Sequence, residues 1–239
     1  MISNFEQEIQ GIIAAYEKLV LGIEKEALGS KSRAYGGIIR AGKGALVESI
    51  ARHLVELAWQ NLNIKNHKLE VPSTKKTFRI PIRKEYVEKL ENEEIKNYIK
   101  QHINDYYYIY QGDVQVYVDN KLAMVIECKA YTENAMLKRV LVDFTLLKVL
   151  YPDFIPVLLQ LESQLGGDYS ELKKVTFGSY STHTLLSYFN VDLTIITLLK
   201  GERRVDRPIH KREFYKPLTK ESLENAIKVL GELLRRKII

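Results

Sequence analysis

The sequence predicts an α/β fold in which a central mixed β-sheet is flanked by helices. Three observations predict it. Apolar residues recur every three or four positions near both ends of the chain, the middle switches to period two, and strand-like and helix-like segments then alternate toward the C-terminus. At 239 residues the chain is long enough to bury a sizeable core, and 46% hydrophobic residues with modest Gly and Pro describe a globular protein, read as one domain over residues 1–239. No internal repeat is visible.

Phe5, Ile9, Ile12, Ile13, Tyr16, Leu19, Val20 and Ile23 stand three and four apart, which predicts an amphipathic helix from about Ser3 to Leu28. Residues 30–44, SKSRAYGGIIRAGKG, are rich in Gly and carry Lys31, Arg33, Arg40 and Lys43, so a flexible basic loop is expected. A second helix follows from about Gly44 to Asn61, with Val47, Ile50, Ala51, Leu54, Val55 and Ala58 buried and Glu48, Arg52 and Glu56 in a charged row beside them. Prolines and the alternation of Phe78, Ile80 and Ile82 predict a loop and a short edge strand, before a charged helix from roughly Lys84 to Asn104. The tyrosine-rich stretch from Asp105 to Tyr131 reads as strands joined by a polar turn at Asp119-Asn120-Lys121. A helix from about Asn134 to Leu150, a strand at Ile155–Glu162, a helix near Thr182–Tyr188, a strand at Val191–Leu199, a basic loop and a final helix from about Lys220 to the C-terminus complete the chain.

Composition narrows the function classes. One cysteine, Cys128, cannot form an internal disulfide, and the start MISNFEQEIQ lacks the basic-then-apolar pattern of a secretory signal, so a cytoplasmic protein is expected. The apolar runs are too short to span a bilayer, and no membrane partner is expected. A net charge of +6 agrees with a polyanionic partner. Positive charge gathers at Lys31–Lys43 and at Lys200–Lys216, where seven basic residues face three acidic ones. Arg40, Lys43, Arg203, Arg204, Arg207, Lys211 and Arg212 are the candidate DNA-contacting residues, since arginine can read guanine edges with two hydrogen bonds.

Four tempting features carry less. Gly37 to Lys43 has the glycine and lysine spacing of a phosphate-binding loop, but Gly44 stands where a Mg²⁺-binding Ser or Thr belongs and no buried strand precedes it, so no nucleotide is expected. The five histidines are scattered, which argues against zinc. Ser179, Ser181 and His183 occupy a polar turn before a helix, where capping or phosphate contact suits them. Tyr106, Tyr107, Tyr108 and Tyr110 could stack on bases, although core and cross-strand packing explains them more simply.

The informative segment is Met124–Lys129. Side chains alternate along a strand, so Glu127 and Lys129 share one face about 7 Å apart while Met124, Ile126 and Cys128 take the other. Charges on an otherwise apolar strand need a partner or a task, because burying either alone costs several kcal/mol. Asp113 lies on the preceding strand. A three-residue turn centred on Asn120 would set it opposite Glu127; a two-residue turn at Asp119-Asn120 would turn the two carboxylates to different faces unless a bulge intervened.

The stretch GDVQVYVDNKLAMVIECK, with Asp113 near its start and Glu127-Cys128-Lys129 at its end, resembles the split signature of the PD-(D/E)xK nucleases, with Gly112 in place of the signature proline. The resemblance implies a restriction-endonuclease-like core over roughly residues 40–215. It implies that Asp113 and Glu127 bind Mg²⁺, that the Cys128 carbonyl adds a ligand, and that Lys129 positions the attacking water or lowers its pKa. Type II restriction enzymes of this superfamily often add a carboxylate from an earlier helix, and Glu48 is the candidate, with an i,i+4 pair to Arg52 as its plainer reading. A type II restriction endonuclease is thus expected, cutting double-stranded DNA to leave a 5′-phosphate and a 3′-hydroxyl, as a homodimer whose first helix offers an interface. The alternatives are a structure-specific or repair nuclease of the same superfamily, and a DNA-binding protein in which Glu127 and Lys129 form only a salt bridge.

Overall fold

The period-two segment builds the middle of a sheet. In a computed structural model that describes residues 4–27, 32–170 and 179–238, and within those not the side chains of 23–27, 32–38 and 40, five strands run β1 (Leu69–Glu70), β4 (Val114–Val118), β5 (Lys121–Glu133), β6 (Ile155–Gln164) and β7 (Thr194–Thr197) across one sheet. β1, β4 and β5 pair antiparallel, and β5, β6 and β7 pair parallel, so the sheet is mixed as the alternation of elements predicts. The long apolar β5 lies at its centre and is buried on both faces.

Each face has its own core. Met124, Ile126, Cys128, Val157, Leu159 and Leu161 pack against α1 (Asn4–Ala27), α2 (Ser32–Leu62) and α7 (Lys220–Arg235). Val125 and Leu158 face α5 (Asn134–Leu147) together with β2 (Phe78–Pro81) and β3 (Tyr107–Tyr110), which form a separate two-stranded sheet. α6 (Tyr180–Ser187) packs on α5, and its N-cap is Ser179, whose hydroxyl accepts from the Thr182 N–H, the capping role expected of that polar turn.

Three expectations are corrected. The basic segment 30–44 is no loop from Ser32 onward, because α2 already begins there. Its glycines weaken the helix, but Ile39, Lys43, Leu46, Val47 and Ile50 continue one buried stripe, and packing against α1 and α7 outweighs propensity. The charged helix predicted over 84–104 is two, α3 (Lys84–Glu88) and α4 (Glu93–Gln101), separated where the Asn92 side chain caps α4 by accepting from the Ile95 N–H at 3.0 Å. The hairpin between β4 and β5 turns on two residues, Asp119 and Asn120, both at positive φ, with Val118 opposite Lys121. A bulge between Val116 and Tyr117 then shifts the register, so Val116 faces Met124 and Val114 faces Ile126. The shift restores the pairing that a three-residue turn would have produced.

The apolar stripe of α1 is used inside the chain, where Ile9, Tyr16 and Val20 are fully buried against α2 and α7. No helix among the described residues is long and apolar enough to cross a membrane.

Candidate active site

Because of the bulge, Asp113 at the start of β4 and Glu127 on β5 turn to the same side. Lys129 joins them: its ammonium lies 2.6 Å from Glu127 Oε2 and 3.1 Å from Asp113 Oδ2. Each carboxylate has a second anchor. The Cys128 N–H donates to Asp113 Oδ2 at 2.8 Å, and the Tyr110 hydroxyl donates to Glu127 Oε1 at 2.7 Å. Gly112 precedes Asp113 for a steric reason, since a Cβ there would run into the Val125 side chain; the proline of the signature has no room.

Glu48 reaches the same cluster from α2. Its plainer reading is overturned, because Arg52 donates instead to the Val71 and Pro72 carbonyls. Glu48 pairs with Lys75 at 2.8 Å, and the same ammonium lies 3.6 Å from Asp113 Oδ1. Lys75, in the loop between β1 and β2, has no periodicity to reveal it in the sequence. Gln115, on the Asp113 strand, is buried, and its amide clamps both backbone groups of Lys76, at 3.0 and 2.7 Å. Tyr110, expected mainly as packing, donates to the site as well.

The cluster opens on a cleft of about 410 Å³ lined by residues that include Tyr108, Gln111, Glu127, Lys129, Met136 and Arg139. Glu127 is the most enclosed of the three, with 8% of its side chain exposed against 21% for Asp113 and 28% for Lys129. Burial, aided by the nearby Asp113 charge, pushes the Glu127 carboxyl above the usual carboxylate value, although Lys129 and Tyr110 oppose the shift. For Lys129, burial pulls down but Glu127 and Asp113 together outweigh it, so the ammonium is held above the ordinary lysine range. Lys75 is likewise held up by Glu48 and Asp113 against the pull of burial.

The basic candidates divide. Arg204, Arg207, Lys211 and Arg212 are exposed on the loop after β7. Arg203 is half-buried, stacked at 3.7 Å on the Tyr131 ring and donating to Gln164. Lys43 is buried, 3.3 Å from His210 Nδ1, and burial lowers its pKa to about 8. The Arg40 side chain lies outside the described residues.

No protein-family model matches the chain. Similarity to a known restriction enzyme spans nearly its whole length, and the chain belongs to the type II restriction endonucleases, which are site-specific deoxyribonucleases. The relative is the type II restriction enzyme DdeI of Desulfomicrobium norvegicum (strain DSM 1741 / NCIMB 8310), 49% identical over 234 residues that cover 96% of this chain and 97% of the relative. Among solved structures, the native A2B2 tetramer of BbvCI is similar at a TM-score of 0.34 and 12% identity, over 96% of this chain and 89% of that one.

Proposed function

We propose that the chain hydrolyses both strands of double-stranded DNA with Mg²⁺, as a homodimer in the cytoplasm, and that Asp113, Glu127 and Lys129 are its catalytic residues with Glu48 beside them. The observation that carries this reading is the convergence of Asp113 and Glu127, from adjoining strands, on one ammonium at the wall of a cleft.

The donor set fits the ion. Zinc is held by three or four histidine, cysteine or acidic side chains. Mg²⁺ needs less, since it binds through one or two carboxylates and completes its shell with water and phosphate oxygens. The N–H and C=O of a strand residue face the same edge, so the Cys128 carbonyl faces the edge to which its N–H already donates, on the Asp113 side. A bound Mg²⁺ supplies a polarised phosphate and a water of lowered pKa.

Asp113 and Glu127 would keep their positions when an ion enters, because the Cys128 N–H and the Tyr110 hydroxyl hold them independently of Lys129. Lys129, displaced from between them, would turn its ammonium to the attacking water and the developing phosphorane charge. With its pKa held up, it works as a cation that orients and stabilises rather than as a proton acceptor. The exposed Arg204, Arg207, Lys211 and Arg212 are the DNA contacts this reading favours.

Incubation with phage DNA and Mg²⁺ tests the proposal. Discrete fragments that vanish with EDTA and with Asp113→Ala or Glu127→Ala, while DNA binding persists, are expected. Cleavage surviving both substitutions would reject these site residues, and cutting of branched DNA alone would favour a structure-specific nuclease.

A further inference from the structure

Glu48, Asp113 and Glu127 form a row of three carboxylates with two ammonium groups between them: Lys75 in the first gap and Lys129 in the second. The two gaps are built differently. In the second, both carboxylates have neutral donors of their own and can stand without the lysine. In the first, Lys75 is the one hydrogen-bonding or ion-pair partner of Glu48 among the described residues.

Lys75 is also mounted with care. The buried Gln115 of β4 holds the N–H and the C=O of Lys76, and the Lys76 ammonium lies 4.1 Å above the Tyr117 ring. The same strand that begins beside Asp113 thus fixes the loop that delivers an ammonium to Asp113. At 2.8 and 3.6 Å from Nζ, Glu48 Oε2 and Asp113 Oδ1 are spaced for an ammonium, whereas Mg²⁺ would draw both oxygens in to about 2.0–2.1 Å.

Charge counting points the same way. Three carboxylates and two ammonium groups leave one net negative charge. One divalent ion and one phosphodiester bring the set to neutrality; a second divalent ion would leave two uncompensated positive charges in a partly buried site, which is costly.

We propose that Lys75 is a resident cation that fills the position between Glu48 and Asp113, so that each active site takes one divalent ion, between Asp113 and Glu127, instead of two. Lys75 is then a positioning residue that fixes Glu48 and sets the metal stoichiometry. This inference rests on the site assignment proposed above.

Counting bound Mn²⁺ by electron paramagnetic resonance on the full-length protein tests it without relying on cleavage. The unsubstituted chain is expected to bind one Mn²⁺, Lys75→Met to bind a second, and Lys75→Arg to bind one. Adding Glu48→Gln to Lys75→Met should abolish the second again, which locates it. Two ions in the unsubstituted chain, or an unchanged count in a folded Lys75→Met, would overturn the proposal. A chain that binds no Mn²⁺, or an Asp113→Asn variant that binds as the unsubstituted chain does, would overturn the underlying site assignment instead.

Discussion

Lys129 and Lys43 are both mostly enclosed lysines, yet their environments push them in opposite directions. Lys129 touches two carboxylates, at 2.6 and 3.1 Å, and its ammonium is held above the ordinary range. Lys43 has the His210 ring at 3.3 Å, a favourable field from Glu162 and an unfavourable one from Arg203, and burial lowers it to about 8. What decides whether an enclosed lysine remains a cation is the number of carboxylates in direct contact. The one that stays charged borders a cleft; the one that loses its charge most easily lies in the interior.

The sharpest way to break this comparison is at the charged cluster. Asp113→Asn or Lys129→Met should lower the cleavage rate by about 10³-fold or more, on the order of 4 kcal/mol, measured in single-turnover digests. The interior lysine should answer in stability instead. Its folded pKa lies below its unfolded one, so its contribution is fully present above about pH 10.4 and is lost as the pH falls through about 8. Lys43→Met should remove that slope and raise stability at pH 7 by up to roughly 3 kcal/mol, read from urea melts of both proteins across this window. A steeper slope in the variant would refute the assignment.

Smaller effects sharpen the contrast. Tyr110→Phe removes a donor that lowers the Glu127 pKa, so cleavage should drop about tenfold and its acid limb should move to higher pH, because Glu127 must be ionised to hold a cation. Arg204→Ala should cost about 1 kcal/mol of DNA affinity and reduce the salt slope by about one unit if it meets one phosphate.

The α/β class, the mixed sheet and the shared face of Glu127 and Lys129 were legible because strand alternation and apolar periodicity are local signals, whereas the place of Asp113 beside them hung on the turn and its bulge. What escaped reading came from tertiary structure. The N-terminal half of α2 looks like a glycine-rich loop until α1 and α7 are there to cover its stripe. Lys75 sits in a loop without pattern, and only the Gln115 clamp on its neighbour explains its place. The division of the chain at Asn92 depended on a single cap.

The bulge between Val116 and Tyr117 makes the enzyme sensitive to parity rather than to length. Ironing the bulge out with every residue of the hairpin retained would set Ile126 opposite Asp113 and present Cys128 where Lys129 now points. Inserting two residues at the tip would leave every functional group on its present side. An odd change in length is tolerated where the bulge absorbs it, as deletion of the extra residue, Ala123, would keep Val116 opposite Met124 and Val114 opposite Ile126.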